Sequence, residues 1–286
     1  MTFPRRTILL AGAGDLGRRT GQILADLEHD VWGLRRSPAP LPNDPIHWVS
    51  ADLTVADTLR ALPTGITHVL YAATPGARDP DHYRRIFIEG LHNLLEAIDP
   101  DALERFIFVS STAVYGASDD WLDEESETAP EAFNGRILVE AEQQLHAMLP
   151  GKAVALRLSG LYGPGRTGLL DRIQQGLATV PDGPGHWSNR FHIEDAARAC
   201  AHLLLLPQAH SCYIGTDNHP RPIAELYDAL ADMLRAPRPT REPASAPTGK
   251  RLSNARLRDS GFEPAWPDAL PAYRTLIAQD YPRARC

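Results

Sequence analysis

The sequence predicts an α/β fold, a doubly wound parallel sheet with a smaller C-terminal substrate lobe, and three observations carry that expectation. Short apolar runs alternate with longer helical patterns from residue 5 to about 160, the mark of strand–helix–strand units. The runs are apolar throughout rather than at every second residue, as strands covered on both faces require. Beyond about residue 164 the alternation gives way to loops rich in Pro and Gly.

Taken in order, TILLAG (7–12) is the first strand and Asp15 to Glu28 the first helix. HDVWGL (29–34), IHWVS (46–50), HVLYAA (68–73), RFIFVS (105–110) and AVALRLS (153–159) are the next strands. DHYRRIFIEGLHNLLEAI (81–98) places Ile86, Leu91, Leu94, Leu95 and Ile98 near one face of a long helix. A further helix carries Glu140 and Glu142, read most simply as a solvated face. APRPTREPASAPTGK (236–250) is an exposed connection by composition. The expected division is a dinucleotide-binding domain over residues 1–163 and a substrate-binding lobe over 164–286, with the chain free to cross between them.

A chain of 286 residues, 43% of them hydrophobic, can bury one large core or one core with an appended lobe. Its net charge of −7 and scattered basic residues argue against nucleic acid as a partner. No stretch approaches the roughly 18 uninterrupted apolar residues of a spanning helix, and no membrane partner is expected. Cys200, Cys212 and Cys286 show no CxxC spacing, and the opening MTFPRRTILLAGAG has too short an apolar run for a signal peptide. A reducing cytoplasm is the expected location. The histidines show no metal-ligand spacing, so no metal is expected.

GAGDLG, between the first strand and the first helix, is the first chemical motif. One glycine makes the turn, a second lets backbone approach a pyrophosphate, and a third brings helix against strand at an anion-receptive helix N-terminus. Gly12, Gly14, Asp15, Leu16 and Gly17 are therefore read as cofactor-binding, with a bare structural turn as the alternative. The second strand ends in GLRRS, where an acidic residue would favour NAD; Arg35 and Arg36 there favour NADP, with NAD also admitted. Two solvated arginines are the competing reading. Asp52 and Leu53 suit a contact with the adenine ring, although Asp52 could equally cap a helix.

Together these residues resemble the extended short-chain dehydrogenase/reductase superfamily, in its NAD-dependent epimerase/dehydratase branch, along nearly the whole chain. GAGDLG resembles the cofactor loop, ADL (51–53) the adenine-side turn, and YAATPG (71–76), with Ala72, Ala73 and Thr74, the strand-four loop beside the cofactor. EGLHNLLEAI (89–98) is similar to the family's fourth helix, VSSTAVYG (109–116) to its active-site strand and RLSGLYGPGR (157–166) to its substrate loop. RFHIEDAARA (190–199) and CYIGTDNHPRPIAEL (212–226) resemble its later segments. The resemblance implies a Rossmann-like fold, a small-molecule substrate between the lobes, and a homodimer through the fourth and fifth helices.

The resemblance also exposes a gap. NGRILVEAEQ aligns with the family's YGxSKxxAE string through Gly135, Glu140 and Glu142, placing Asn134 at the tyrosine and Leu138 at the lysine. In the family that tyrosine is the acid or base, and the lysine lowers its pKa and binds the nicotinamide ribose. Asparagine has no proton to exchange near neutral pH, and leucine carries neither charge nor donor. Lys152 and Lys250 are the only lysines in the chain. What remains is Ser111, matching the family's hydroxyl on the reacting oxygen, with Thr112 beside it; a hydroxyl satisfied by backbone at a strand end is the alternative. Ser111 and Tyr115 are the catalytic candidates. Thr112, Asn134, Tyr162 and Arg190 are the substrate-binding candidates, Tyr162 being a second candidate acid. His192 with Asp195 could form a base and its orienter, though the resemblance favours a structural role. The expected activity is that of an oxidoreductase or epimerase-like enzyme on a small polar metabolite with a non-standard proton donor; the alternative is an inactive NADP(H)-binding sensor or scaffold.

Overall fold

The computed structural model describes residues 5–244, 246, 248–279 and 281. Its central feature is a seven-stranded parallel sheet. The strands are β1 (Thr7–Ala11), β2 (Asp30–Arg35), β3 (His47–Ser50), β4 (His68–Tyr71), β5 (Arg105–Ser111), β6 (Ala153–Leu158) and β7 (Cys212–Gly215). Their order is β7-β6-β5-β4-β1-β2-β3, so the chain runs outward from β1 to one edge, returns, and builds the other. That reversal beside β1 creates the crevice at the carboxyl ends of the strands where open α/β sheets receive ligands. The apolar runs are buried as both-face coverage demands: Ile8, Leu9, Leu10, Val69, Leu70, Phe106 and Ile107 have almost no exposure.

Helix α1 (Asp15–Asp26) lies close against the sheet because Gly21 has no side chain; a Cβ there would sit 2.6 Å from Leu10 Cδ1. The helix expected over 81–98 forms with an interruption. Pro80–Arg84 and Gly90–Ala97 are α-helical, joined by a π turn at Arg85–Glu89, and the whole is α2. Inside the fold, the buried Tyr71 hydroxyl donates to the Ile86 carbonyl at 2.5 Å, within that widened turn. Helix α3 (Phe133–Met148) buries Gly135, Ile137, Leu138, Ala141, Glu142 and Leu145.

The chain forms two compact units, and they are interleaved rather than cut once near residue 163. The first takes the residues up to Tyr115, Thr128–Arg157 and Ala197–Tyr213; the second takes Gly116–Glu127, Leu158–Ala196 and the chain from Ile214 onward. Residues 116–127 join the second unit because Trp121–Leu122 pairs in parallel with Arg251–Leu252. Within that unit Gly160–Tyr162 pairs with Arg190–His192, and Thr179–Pro181 with Thr240–Glu242. Its core gathers Tyr162, Leu170, Ile173, Leu226, Leu230, Tyr273 and Leu276. The segment 236–250, expected as an exposed connection, thus contributes a strand at Thr240–Glu242. Its Gly249 packs so closely on Trp187 that a Cβ would lie 2.0 Å from the Trp187 nitrogen; Ser245 and Pro247 lie outside the described residues.

No helix among the described residues is long and apolar enough to cross a membrane.

Candidate functional site

The glycine-rich turn is built on the end of β2. The Gly12 and Ala13 N–H groups both donate to the Leu34 carbonyl, at 3.3 and 3.1 Å, one residue before Arg35. Gly12 has a φ of +88°, and a Cβ there would lie 2.4 Å from the backbone of Ala73, so only glycine lets this turn meet the end of β4. Gly17 brings α1 back over the turn, its Cβ position 3.1 Å from the Gly12 carbonyl oxygen. Gly14 is different: it is exposed, and a Cβ would meet nothing nearer than 4.0 Å. It is also the N-cap of α1, and no side chain caps that helix. An uncapped helix start beside an open backbone is a cradle for an anion, because N–H groups and the positive end of the helix dipole face it. The residues present fit a dinucleotide pyrophosphate.

Arg35 and Arg36 are exposed, and among the described residues neither guanidinium has a hydrogen-bond or ion-pair partner. Their backbone is fixed: the Arg35 carbonyl accepts from Ala51 N at 3.0 Å and the Arg36 carbonyl from Ser50 Oγ at 3.0 Å. Asp52 turns the chain after β3, its Oδ1 accepting from Thr54 N and Thr54 Oγ1, both at 2.9 Å. It does not cap the next helix, a 3₁₀ turn whose N-cap is Val55. Leu53 is buried, and its carbonyl accepts from Asn93 of α2. Ala72 N donates to the Ala11 carbonyl at 2.8 Å, with Ala73 against Gly12 and Thr74 exposed at the rim.

At the carboxyl end of β5 the half-buried Ser111 caps a short 3₁₀ turn, Thr112–Val114, its Oγ accepting from Ala113 N at 3.2 Å. The backbone use weighed for this hydroxyl is therefore present, and it leaves the hydroxyl proton free to donate elsewhere. Helix α3 starts directly on this turn: a Cβ on Gly135 would lie 2.3 Å from the Ala113 carbonyl oxygen. That approach brings Asn134 to the same end of the sheet. Its Oδ1 is buried with no hydrogen-bond partner among the described residues, while Leu138, one turn on, is packed at 4% exposure. At this end of α3 the fold thus presents an amide whose oxygen lacks a partner, and then a core leucine.

Below the turn lies a buried polar network that the sequence did not reveal. Glu142, expected on a solvated face, is only 4% exposed; Glu140 does face outward, in a bidentate pair with Arg84 at 2.8 Å. The Glu142 carboxylate accepts from Arg157 Nη2 at 2.6 Å and from Ser110 Oγ at 2.5 Å. Arg157 Nη1 donates in turn to the Tyr115 hydroxyl at 2.6 Å and lies over the Tyr115 ring. Burial acts to lower the Arg157 pKa, but Glu142 outweighs it and the guanidinium is held above its ordinary value. Helical spacing could have found Glu142, which lies on the buried stripe with Leu138, Ala141 and Leu145. Tyr115, a candidate acid, is buried with its oxygen committed to this arginine.

In the second unit, Tyr162 is buried and stacks on Tyr273 with ring centroids 4.3 Å apart; its hydroxyl has no hydrogen-bond partner among the described residues. Burial first, then Asp217, pushes its pKa well above the ordinary phenol value, which disfavours proton release. Arg190 Nε donates to Ser188 Oγ at 3.1 Å. Asp195 accepts from Ala265 N and Trp266 N at 2.9 and 2.8 Å, so it holds a backbone turn. His192 lies edge-on to Tyr162 and tilted against Trp266. No group of three or more His, Cys, Asp or Glu among the described residues is arranged to hold a metal.

Comparison with known proteins identifies the fold and the family. YeeZ of Escherichia coli K12 is 35% identical over 188 residues, which cover 64% of this chain and 66% of YeeZ, so the match spans just under two thirds of that relative. A solved structure from Methylobacillus flagellatus, provisionally named an NAD-dependent epimerase/dehydratase, is 34% identical, covers 96% of this chain and 98% of its own, and has a TM-score of 0.79. The Thermus thermophilus UDP-glucose 4-epimerase in complex with NAD shares the fold at 20% identity, covering 96% and 99% with a TM-score of 0.77. The family model for the NAD-dependent epimerase/dehydratases matches residues 8–214, from the first strand to the last of the central sheet. The chain belongs to the NAD-dependent epimerase/dehydratase family.

Proposed function

We propose that this protein is an NADP(H)-preferring oxidoreductase or epimerase-like enzyme that acts on a small polar metabolite without the tyrosine–lysine pair. The observation that carries the reading is the uncapped start of α1 beside the Gly12–Ala73 contact, on a turn bonded to the carbonyl of Leu34, which directly precedes two arginines that have no partner among the described residues. Gly14, Asp15, Leu16 and Gly17 would hold the pyrophosphate, with Arg35 and Arg36 on the 2′-phosphate, Asp52 and Leu53 at the adenine, and Ala72, Ala73 and Thr74 along the opposite wall. The dinucleotide supplies hydride transfer when bound. Ser111 would orient the reacting oxygen by donating its free hydroxyl proton into a hydrogen bond, and the Asn134 amide would bind without exchanging a proton. The proton would come from water at the Ser111 turn or from Tyr115, whose oxygen accepts from Arg157 Nη1 in a bond that does not use its own proton. Thr112 in the first unit and Arg190 in the second remain proposed substrate contacts, whereas Tyr162 lies in the core of the second unit.

The test is to incubate the purified protein and NADPH with a panel of carbonyl compounds and nucleotide sugars while tracking absorbance of the reduced cofactor. Consumption above the protein-free rate is expected with at least one compound. Silence throughout, with NADPH binding demonstrated by calorimetry, would overturn the enzyme and leave a second reading. That reading, a cofactor-binding sensor, is favoured by Leu138 lying in the core without a titratable group at 134 or 138. It predicts that NADP(H) alters association with a partner protein.

A further inference from the structure

The segment between Arg36 and β3 is not a free loop. Arg18, the residue after the last glycine of GAGDLG, reaches across it from the first turn of α1. Its Nη2 donates to Asp44 Oδ2 at 2.5 Å and its Nη1 to the Ala39 carbonyl at 3.2 Å. Asp44 Oδ2 also accepts from Leu41 N at 3.1 Å and Trp48 Nε1 at 3.0 Å, and Oδ1 accepts from Ile46 N at 3.2 Å. The Arg18 guanidinium lies 5.3 Å from the centroid of the Trp48 ring. The Asp44 side chain is 6% exposed and that of Arg18 29%, so the pair is shielded. Burial would raise the Asp44 pKa, but the Leu41 and Ile46 N–H groups, the Trp48 indole and Arg18 outweigh it and hold the carboxyl below its ordinary value. Asp44 is thus a carboxylate at neutral pH.

Residues 35–44 are consequently tied to the glycine-rich turn at both ends. At one end Gly12 and Ala13 hold the Leu34 carbonyl, and at the other Arg18 holds Ala39 and Asp44. Arg35 and Arg36 project from a strap closed against the phosphate cradle. The charge of Arg18 is neutralised within the strap, whereas those of Arg35 and Arg36 are not.

We infer that Arg18 and Asp44 are positioning residues for cofactor discrimination: by closing the strap they hold Arg35 and Arg36 where a 2′-phosphate is read, without touching the phosphate themselves. This rests on the NADP(H) reading above. It separates two tasks within one motif, the glycines serving the pyrophosphate shared by both dinucleotides and the adjoining arginine serving the choice between them.

The experiment measures calorimetric affinities for NADP⁺ and NAD⁺ in the full chain and in Arg18→Gln, Asp44→Asn, Arg18→Lys and Arg35→Asp, each checked for a native thermal transition. Arg18→Gln and Asp44→Asn should each weaken NADP⁺ by about tenfold while NAD⁺ changes by less than about twofold, since only the charge-assisted contact to the extra phosphate is displaced. Combining them should add little, because they break one pair. Arg18→Lys, which keeps the charge but not the two-pronged reach, should recover part of the preference. Equal weakening of both cofactors, or an unchanged ratio in Arg18→Gln while Arg35→Asp reverses the preference, would overturn the inference alone. Absence of any NADP⁺ preference in the unaltered protein, with Arg35→Asp also without effect, would overturn the NADP reading beneath it.

Discussion

The glycine-rich turn and the start of α3 stand at the same end of one sheet, after β1 and β5, and are built on opposite terms. Around Gly12 the packing is tight wherever backbone meets backbone and open where Gly14 faces outward, so the fold leaves N–H groups for an outside acceptor. Around Gly135 the packing is equally tight, but farther inward lie Leu138, Glu142 and Arg157, whose needs are met from within. One site is organised toward a ligand and the other toward the core. The two regions therefore differ in what they leave open: the α3 region keeps its structural glycine, its buried glutamate and its serine turn without an ionisable side chain at 134 or 138.

Three substitutions would break or sharpen this contrast. The largest effect is expected from Gly12→Ala, which places a Cβ against Ala73 at a positive φ. Dinucleotide affinity should fall by on the order of a hundredfold or more, as the turn is displaced from its phosphate-binding geometry. Calorimetry on the folded variant checks it, and near-native affinity would mean that the turn is not the cradle. Next is Glu142→Ala, which leaves Arg157 buried without its partner. A loss of about 3–5 kcal/mol is expected, read as a lower denaturant midpoint at unchanged slope, with dinucleotide affinity unaltered in the folded protein. A loss below about 1 kcal/mol would place Glu142 among exposed pairs.

The smallest effect at neutral pH is expected away from both sites. His68 opens β4 at 2% exposure, and burial, reinforced by Arg6, Arg105 and His29, lowers its pKa to about 3. The unfolded chain takes up that proton near pH 6.5 and the folded chain only near 3. Stability from keeping this imidazole neutral is thus fully present above pH 6.5 and is lost as pH falls toward 3, with a slope of at most about 1.4 kcal/mol per pH unit. His68→Gln should flatten that acid limb in urea titrations run at successive pH values and leave cofactor affinity unchanged; an identical slope would show that the acid loss arises elsewhere.

Particular residues show how far sequence reasoning reached. Strand positions were legible within a residue or two because continuous apolar runs have one economical burial, between two helical layers. Gly12, Gly14 and Gly17 were legible because their spacing encodes a backbone shape. Glu142 was not, since its partner Arg157 lies on a different strand, and a glutamate on a helix looks solvated until that strand is in place. The clip at Asp44 was hidden for the same reason: four donors from residues 18, 41, 46 and 48 converge on it only once β2, β3 and α1 are assembled. The interruption in α2 depends on the Tyr71 hydroxyl, which no periodicity within 81–98 contains.

By itself the sequence determined the layered parallel sheet, the glycine-rich turn after β1 and the asparagine and leucine that stand at positions 134 and 138. These arise from local patterns: hydrophobic runs, glycine conformations and the identity of single side chains. Only the tertiary structure decided that the Asn134 carbonyl oxygen is buried without a partner among the described residues, that Tyr115 is bound to Arg157, and that Arg18 closes the strap beside Arg35 and Arg36. Those outcomes turn on which donors and acceptors distant in the chain reach each other, and the free energy of a buried polar group depends on that pairing rather than on the residue type.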